Sequence, residues 1–197
     1  MTGWRAGLIG WVAGGATALV VAAAGGLVVV YSGIFDAAAT TPHLPFIAWA
    51  THTTMKNSVR WRAEPIRAPA AFTQAQVIAG LRDYDQNCAA CHGGPGVSRA
   101  RWASAMTPTP PYLLDAARRW TAPQLDWIVA HGVKMTAMPG WSEVRSNAQV
   151  WDLVAFLEAL PSLSPSDYAR LRAANTAGGD VLQPPPSPPR PAGVQPR

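Results

Sequence analysis

Hydrophobic positions along the chain fall into two regimes, one continuous and one periodic. From Gly7 through Tyr31 no side chain is charged, and the run GLIGWVAGGATALVVAAAGGLVVVY is apolar almost throughout. About 20 such residues cross the hydrocarbon core of a bilayer, so residues 7–31 are predicted to form a transmembrane anchor. A cleaved signal peptide, with an apolar region of about 7–15 residues, is the competing reading. Ala37-Ala38-Ala39 would serve as its cleavage site. The length of the run favours retention.

Past residue 72 the apolar positions recur at helical spacing. Thr73-Gln74-Ala75-Gln76 is a capping-box pattern, and Val77, Ile78, Leu81 and Tyr84 follow it on one side of a helix that runs into Cys88. A second box, Thr121 to Gln124, opens a helix with Leu125, Ile128 and Val129 on one face and Gly132 as its stop. A third, Ser146 to Gln149, opens Val150 to Leu160, with Pro161 beyond its end and Trp151, Val154, Phe156 and Leu157 as apolar positions. No segment alternates with period two, so an all-α domain is expected over residues 73–162. Residues 32–72 read as a linker interrupted by Pro42, Pro45, Pro65 and Pro69, with Phe46 to Trp61 long enough for a helix. Its Trp49 and Trp61 suit either a membrane interface or packing on the helical domain. Residues 163–197 turn polar and then proline-rich, a composition that buries too little apolar surface to offset ordering, so disorder is expected there.

Composition sharpens this division. Of 197 residues 49% are hydrophobic and 14% charged, as expected for one globular domain with a membrane segment. The formal net charge of +5 lies outside the helical domain, where seven basic residues balance seven acidic ones between Thr73 and Leu160. That distribution excludes a nucleic-acid surface. Lys56, Arg60, Arg62 and Arg67 in the linker suit lipid headgroups instead. Glycines 10, 14, 15, 25 and 26 would let a second helix approach the anchor.

The chemistry concentrates in Cys88-Ala89-Ala90-Cys91-His92, the C-x-x-C-H attachment signature of a c-type haem. Two thiols three positions apart can each add to one vinyl group of a porphyrin, and the adjacent imidazole can bind the iron. These are the only two cysteines. A dithiol redox site would need a thioredoxin-like βαβ setting, and a closed zinc site would need four ligands. The other histidines, His43, His52 and His131, are scattered. One covalently bound haem c is therefore the expected cofactor. Because such attachment in bacteria takes place outside the cytoplasmic membrane, residues 1–6 are expected in the cytoplasm and the haem domain on the periplasmic side.

These residues resemble the single-haem class I cytochrome c family over most of 73–161. The resemblance implies that a glycine of the first helix, Gly80, is crossed by an aromatic of the last, Trp151 or Phe156. It implies an axial methionine on the loop before that last helix, where Gly132 to Trp141 contains Met135 and Met138. Pro139 biases Met138 towards an extended backbone, which favours Met138 as the second metal ligand beside His92. Met106 lies far from that loop, and His131 would make a bis-His site. A proline of a P-x-L stretch, here Pro111-Tyr112-Leu113, is implied to orient the His92 ring through its carbonyl. Arg99, Arg101 and Trp102 are candidates for holding the haem propionates.

The functional expectation is a membrane-tethered periplasmic monohaem cytochrome carrying single electrons between respiratory complexes and catalysing no bond-making itself. Its partners would be the inner membrane and redox proteins. A permanent cytochrome subunit of a dehydrogenase or terminal oxidase is the alternative, and a ligand sensor or peroxidase-like protein with an open iron is a third class.

Overall fold

The computed structural model describes residues 3–177, all of whose regular elements are helical. The chain divides between Thr41 and Pro42 into two compact units.

The first unit is built on helix α1, Gly3–Ser32. Its 26-residue stretch Gly7–Ser32 has a mean hydropathy of 2.1 and is long and apolar enough to cross a membrane. At about 1.5 Å per residue it reaches about 39 Å, more than the ~30 Å of hydrocarbon. Within it the Thr17 hydroxyl donates to Ala13 O at 2.9 Å, so this polar group is satisfied inside its own helix. Just beyond, Asp36 accepts hydrogen bonds from Ala38 N and Thr41 Oγ1, at 2.8 and 2.6 Å. These bonds close a local turn and hold the Asp36 carboxyl below its ordinary range, the Thr41 hydroxyl contributing most.

The second unit begins with α2, Pro45–Ala63, whose Pro45 occupies the first turn, where its missing N–H costs nothing. Much of the expected linker is therefore a helix. Val59 and Ala63 are buried, and α2 packs against α7, Ala122–His131. Trp49 and Trp61 remain 63% and 69% exposed.

All three predicted capping boxes form. Thr73 caps α3, Gln74–Asn87; Thr121 caps α7; and Ser146 caps α8, Asn147–Ala159. The pairing of α3 with α8 is the most extensive in the domain. At the crossing a side chain on Gly80 would lie 1.9 Å from Asp152 O, so only a glycine permits the approach. Phe156 is the aromatic partner, with its ring 5.0 Å from that of Tyr84. Trp151, the other candidate, turns instead to Phe72 at 6.1 Å. Three short helices, α4 (Ala89–His92), α5 (Arg101–Ser104) and α6 (Ala116–Arg119), punctuate the chain between α3 and α7.

The expectation of disorder from residue 163 is corrected by α9, Pro165–Ala177. Ser164 caps it, accepting from Asp167 N at 3.1 Å, and Tyr168 is fully buried in the core formed by α3 and α8. One deeply inserted aromatic outweighs the polar composition around it. The proline-rich run from Gln183 lies outside the described residues.

Gly80→Ala should cost roughly 2 kcal/mol of stability in denaturant unfolding, because overpacking of the crossing exceeds the ~1 kcal/mol gained in helix propensity. A second prediction concerns Asp126 on α7, which is buried with Oδ1 unpartnered. Burial raises its carboxyl above the ordinary range, against the pull of His131. A raised folded pKa favours the protonated form. Its stabilising contribution is complete below the unfolded carboxylate value and lost as pH rises through the folded one. Asp126→Asn should therefore stabilise the protein by about 1 kcal/mol at neutral pH, with the gain vanishing near pH 3, as thermal unfolding at both pH values would show.

Candidate functional site

Helix α3 ends at Asn87, and Cys88 joins it directly to the short helix α4. Cys88 N donates to Tyr84 O at 2.8 Å, and Cys91 N and His92 N both donate to Cys88 O at 3.0 and 2.9 Å. One helical turn thus holds both cysteines and the histidine as close neighbours. Both thiols are free and half-buried. Burial pushes the Cys88 thiol up to about 12, with Asp83 adding to the effect and Arg145 opposing it.

His92 is held by its ring. Its Nδ1 lies 2.7 Å from Pro111 O. A carbonyl oxygen can only accept, so Nδ1 carries the hydrogen and Nε2 keeps its lone pair for a metal. Burial lowers the imidazole pKa, outweighing the Pro111 bond that raises it. The neutral ring is the form that ligates. Pro111 is itself fixed on both sides. The Arg99 guanidinium donates to Pro110 O and lies 3.9 Å from the centre of the Tyr112 ring, while Arg119 donates to Tyr112 O at 3.1 Å. Arg99 is thereby engaged in bracing the carbonyl strand, whereas Arg101 and Trp102 stay exposed on α5.

The loop between α7 and α8 folds back on itself. Val133 N donates to Met138 O at 3.2 Å, and the Thr136 hydroxyl both donates to Val133 O at 2.7 Å and accepts from Met138 N at 3.1 Å. Met138 is half-buried on the return limb. Met135 sits at the tip with φ 62° and 92% of its surface exposed. His131 is exposed at the end of α7, its ring 5.0 Å from that of Trp127.

An ion pair that the sequence did not reveal ties this loop region to α3. Arg145 grips Asp83 with two bonds of 2.9 Å, the two side chains only 14% and 16% exposed. The same guanidinium lies 5.5 Å from the Trp141 ring. Two charges 62 residues apart leave no local periodic signal, so pairing them needed the fold.

The donor set suits a covalently attached haem. Two free thiols on one helical turn stand beside an imidazole whose outer nitrogen is tied back, and a half-buried thioether lies on a separate hydrogen-bonded loop. Among the described residues no His, Cys, Asp and Glu gather as a metal cluster of three or more. The helical fold and the cysteine-histidine turn are consistent with a c-type cytochrome domain, which one family comparison supports. Residues 75–157, less than half of the chain, match the family model of cytochrome C oxidase, cbb3-type, subunit III. No curated protein matches the chain.

Arg145→Leu should cost about 2–3 kcal/mol, because the buried Asp83 carboxylate loses its counter-charge and keeps only the hydrogen bond from Asn87 Nδ2. Replacing both residues by leucine should cost less than the sum of the single changes, as a double-mutant cycle of urea unfolding would show.

Proposed function

We propose that the chain is a membrane-tethered monohaem cytochrome that relays single electrons on the periplasmic side of a bacterial inner membrane. The observation that carries this reading is the His92 ring, held through Nδ1 by Pro111 O within one turn of two free thiols. When bound, haem c supplies a one-electron ferric/ferrous couple. Cys88 and Cys91 would hold it by thioethers, and His92 Nε2 and the Met138 sulfur would be its axial ligands. The backbone of α3 and the braced Pro110–Tyr112 strand keep His92 in one orientation. The Thr136 bonds do the same for the Met138 backbone. Sites held this rigidly change little between oxidation states, which suits a relay better than an open catalytic iron. Arg101 and Trp102 remain the candidates for the propionates, while Arg99 serves the proximal strand.

A permanent subunit role is the second reading, and the oxidase-subunit description of the matching family favours it. Sizing the protein after extraction in mild detergent separates the two: a monomer supports the mobile relay, and a stable larger complex supports the subunit.

A pyridine haemochrome spectrum should show one thioether-linked haem per chain. Met138→Ala should abolish the red charge-transfer band of methionine-ligated ferric haem and open the iron to carbon monoxide, while Met135→Ala leaves both unchanged. The reverse pattern would move the ligand to Met135.

A further inference from the structure

The backbone that follows His92 is unusually poor in side chains of its own. Gly93, Gly94 and Gly96 fall within four residues, and glycine loses more conformational freedom on ordering than any other residue. Something external must therefore keep this turn in one shape. From the front, Tyr84 Oη donates to Gly93 O at 2.7 Å, and Gly94 and Val97 exchange backbone hydrogen bonds of 2.9 Å. From behind, the turn rests on α9, which lies outside the stretch that matches the family.

The contact with α9 is intimate. A Cβ on Gly94 would lie 2.5 Å from Tyr168 Cε1, and one on Gly96 would lie 2.9 Å from Pro165 Cβ. Two of the three glycines are thus filled by side chains of one distant helix. Tyr168 in turn stacks on Phe156 of α8, with centroids 6.4 Å apart and planes 26° from parallel. One turn further along, Arg172 pairs with Asp85 of α3 and lies 5.6 Å from the Tyr168 ring. The ring is wedged between α8 and the turn, and its helix is pinned to α3, the element that leads directly into Cys88.

We propose that Tyr168 is a positioning residue for His92, acting through the glycine turn to set the orientation of the axial imidazole. This inference rests on the cytochrome reading above. The imidazole has two points of support, the Pro111 carbonyl at its outer nitrogen and the backbone that leads out of residue 92. Without the wedge the second support becomes a loose glycine segment, and the ring can rotate about its bond to Pro111. Axial-ligand orientation tunes the electronic structure of a haem iron as ligand identity does, so the loss is visible spectroscopically. Ring carbons make the two shortest approaches to Gly94, and the hydroxyl, 2.8 Å from the same point, is buried without a hydrogen-bond partner, so phenylalanine should serve in place of tyrosine.

The test uses the full-length protein in detergent with three substitutions, Tyr168→Leu, Tyr168→Phe and Val59→Ala, the last removing buried volume on α2 away from the turn. Low-spin electron paramagnetic resonance of the ferric protein reads the imidazole, and hydrogen exchange at the Gly94 and Val97 amides reads the turn. Tyr168→Leu should shift the largest g-value beyond the wild-type linewidth and speed exchange at both amides by about tenfold or more. Tyr168→Phe should restore both readouts, and Val59→Ala should lower stability without moving either. Equal effects of Tyr168→Leu and Val59→Ala, or failure of phenylalanine to restore, would overturn the proposal. A wild-type chain without a haemochrome spectrum sinks the cytochrome reading, and the positioning role with it. Bound haem whose g-values ignore Tyr168→Leu sinks the positioning role alone.

Discussion

At the crossing of α3 and α8 the two backbones meet with no side chain between them on the α3 side, since even a Cβ at Gly80 would strike the Asp152 carbonyl. The chemistry of the domain is arranged around that approach. Helix α3 ends in the cysteine turn, and the loop bearing Met138 leads through Trp141 and Arg145 into α8. Fixing one helix on the other therefore fixes the two halves of the site relative to each other. The ring pair of Tyr84 and Phe156 seals the crossing, and the Asp83–Arg145 pair ties its outer edge. Tyr84 also reaches the carbonyl of Gly93, so one side chain serves both the helix interface and the turn that follows His92.

Local signals in the sequence were sufficient for the elements that such signals control. The three capping boxes marked helix starts because each is a short-range exchange of two hydrogen bonds, independent of the rest of the fold. The cysteine turn was legible for the same reason: its two cysteines and histidine fall within five consecutive residues, and one helical turn holds them as neighbours. Pro111 was harder, as neighbouring prolines offered other registers, and only the ring-to-carbonyl distance singles it out. Met138 and Met135 differ by burial and by position on a hydrogen-bonded loop, properties that the Met-Pro dipeptide only hinted at.

What escaped the sequence were interactions between distant segments. Helix α9 is polar along most of its length, and its place depends on one aromatic inserted among residues from α3, α8 and the glycine turn. The Ser164-Pro165-Ser166-Asp167 cap was available as a start signal, but composition pointed the other way. The contacts of the Arg99 guanidinium with the Pro110 carbonyl and the Tyr112 ring, between segments about a dozen residues apart, left no periodic signal in the sequence. Helix α2 was legible as a stretch long enough for a helix between prolines, but not its packing against α7 or the burial of Val59 and Ala63.

That seating of α2 shortens the irregular connection that follows α1. Between the last residue of α1 and the first of α2 the chain leaves only positions 33–44 as leash, and the turn at Asp36 takes up part of them. Fully stretched, such a segment spans about 40 Å. Each residue added to or removed from positions 33–44 would change that reach by about 3.3–3.6 Å without disturbing either flanking helix.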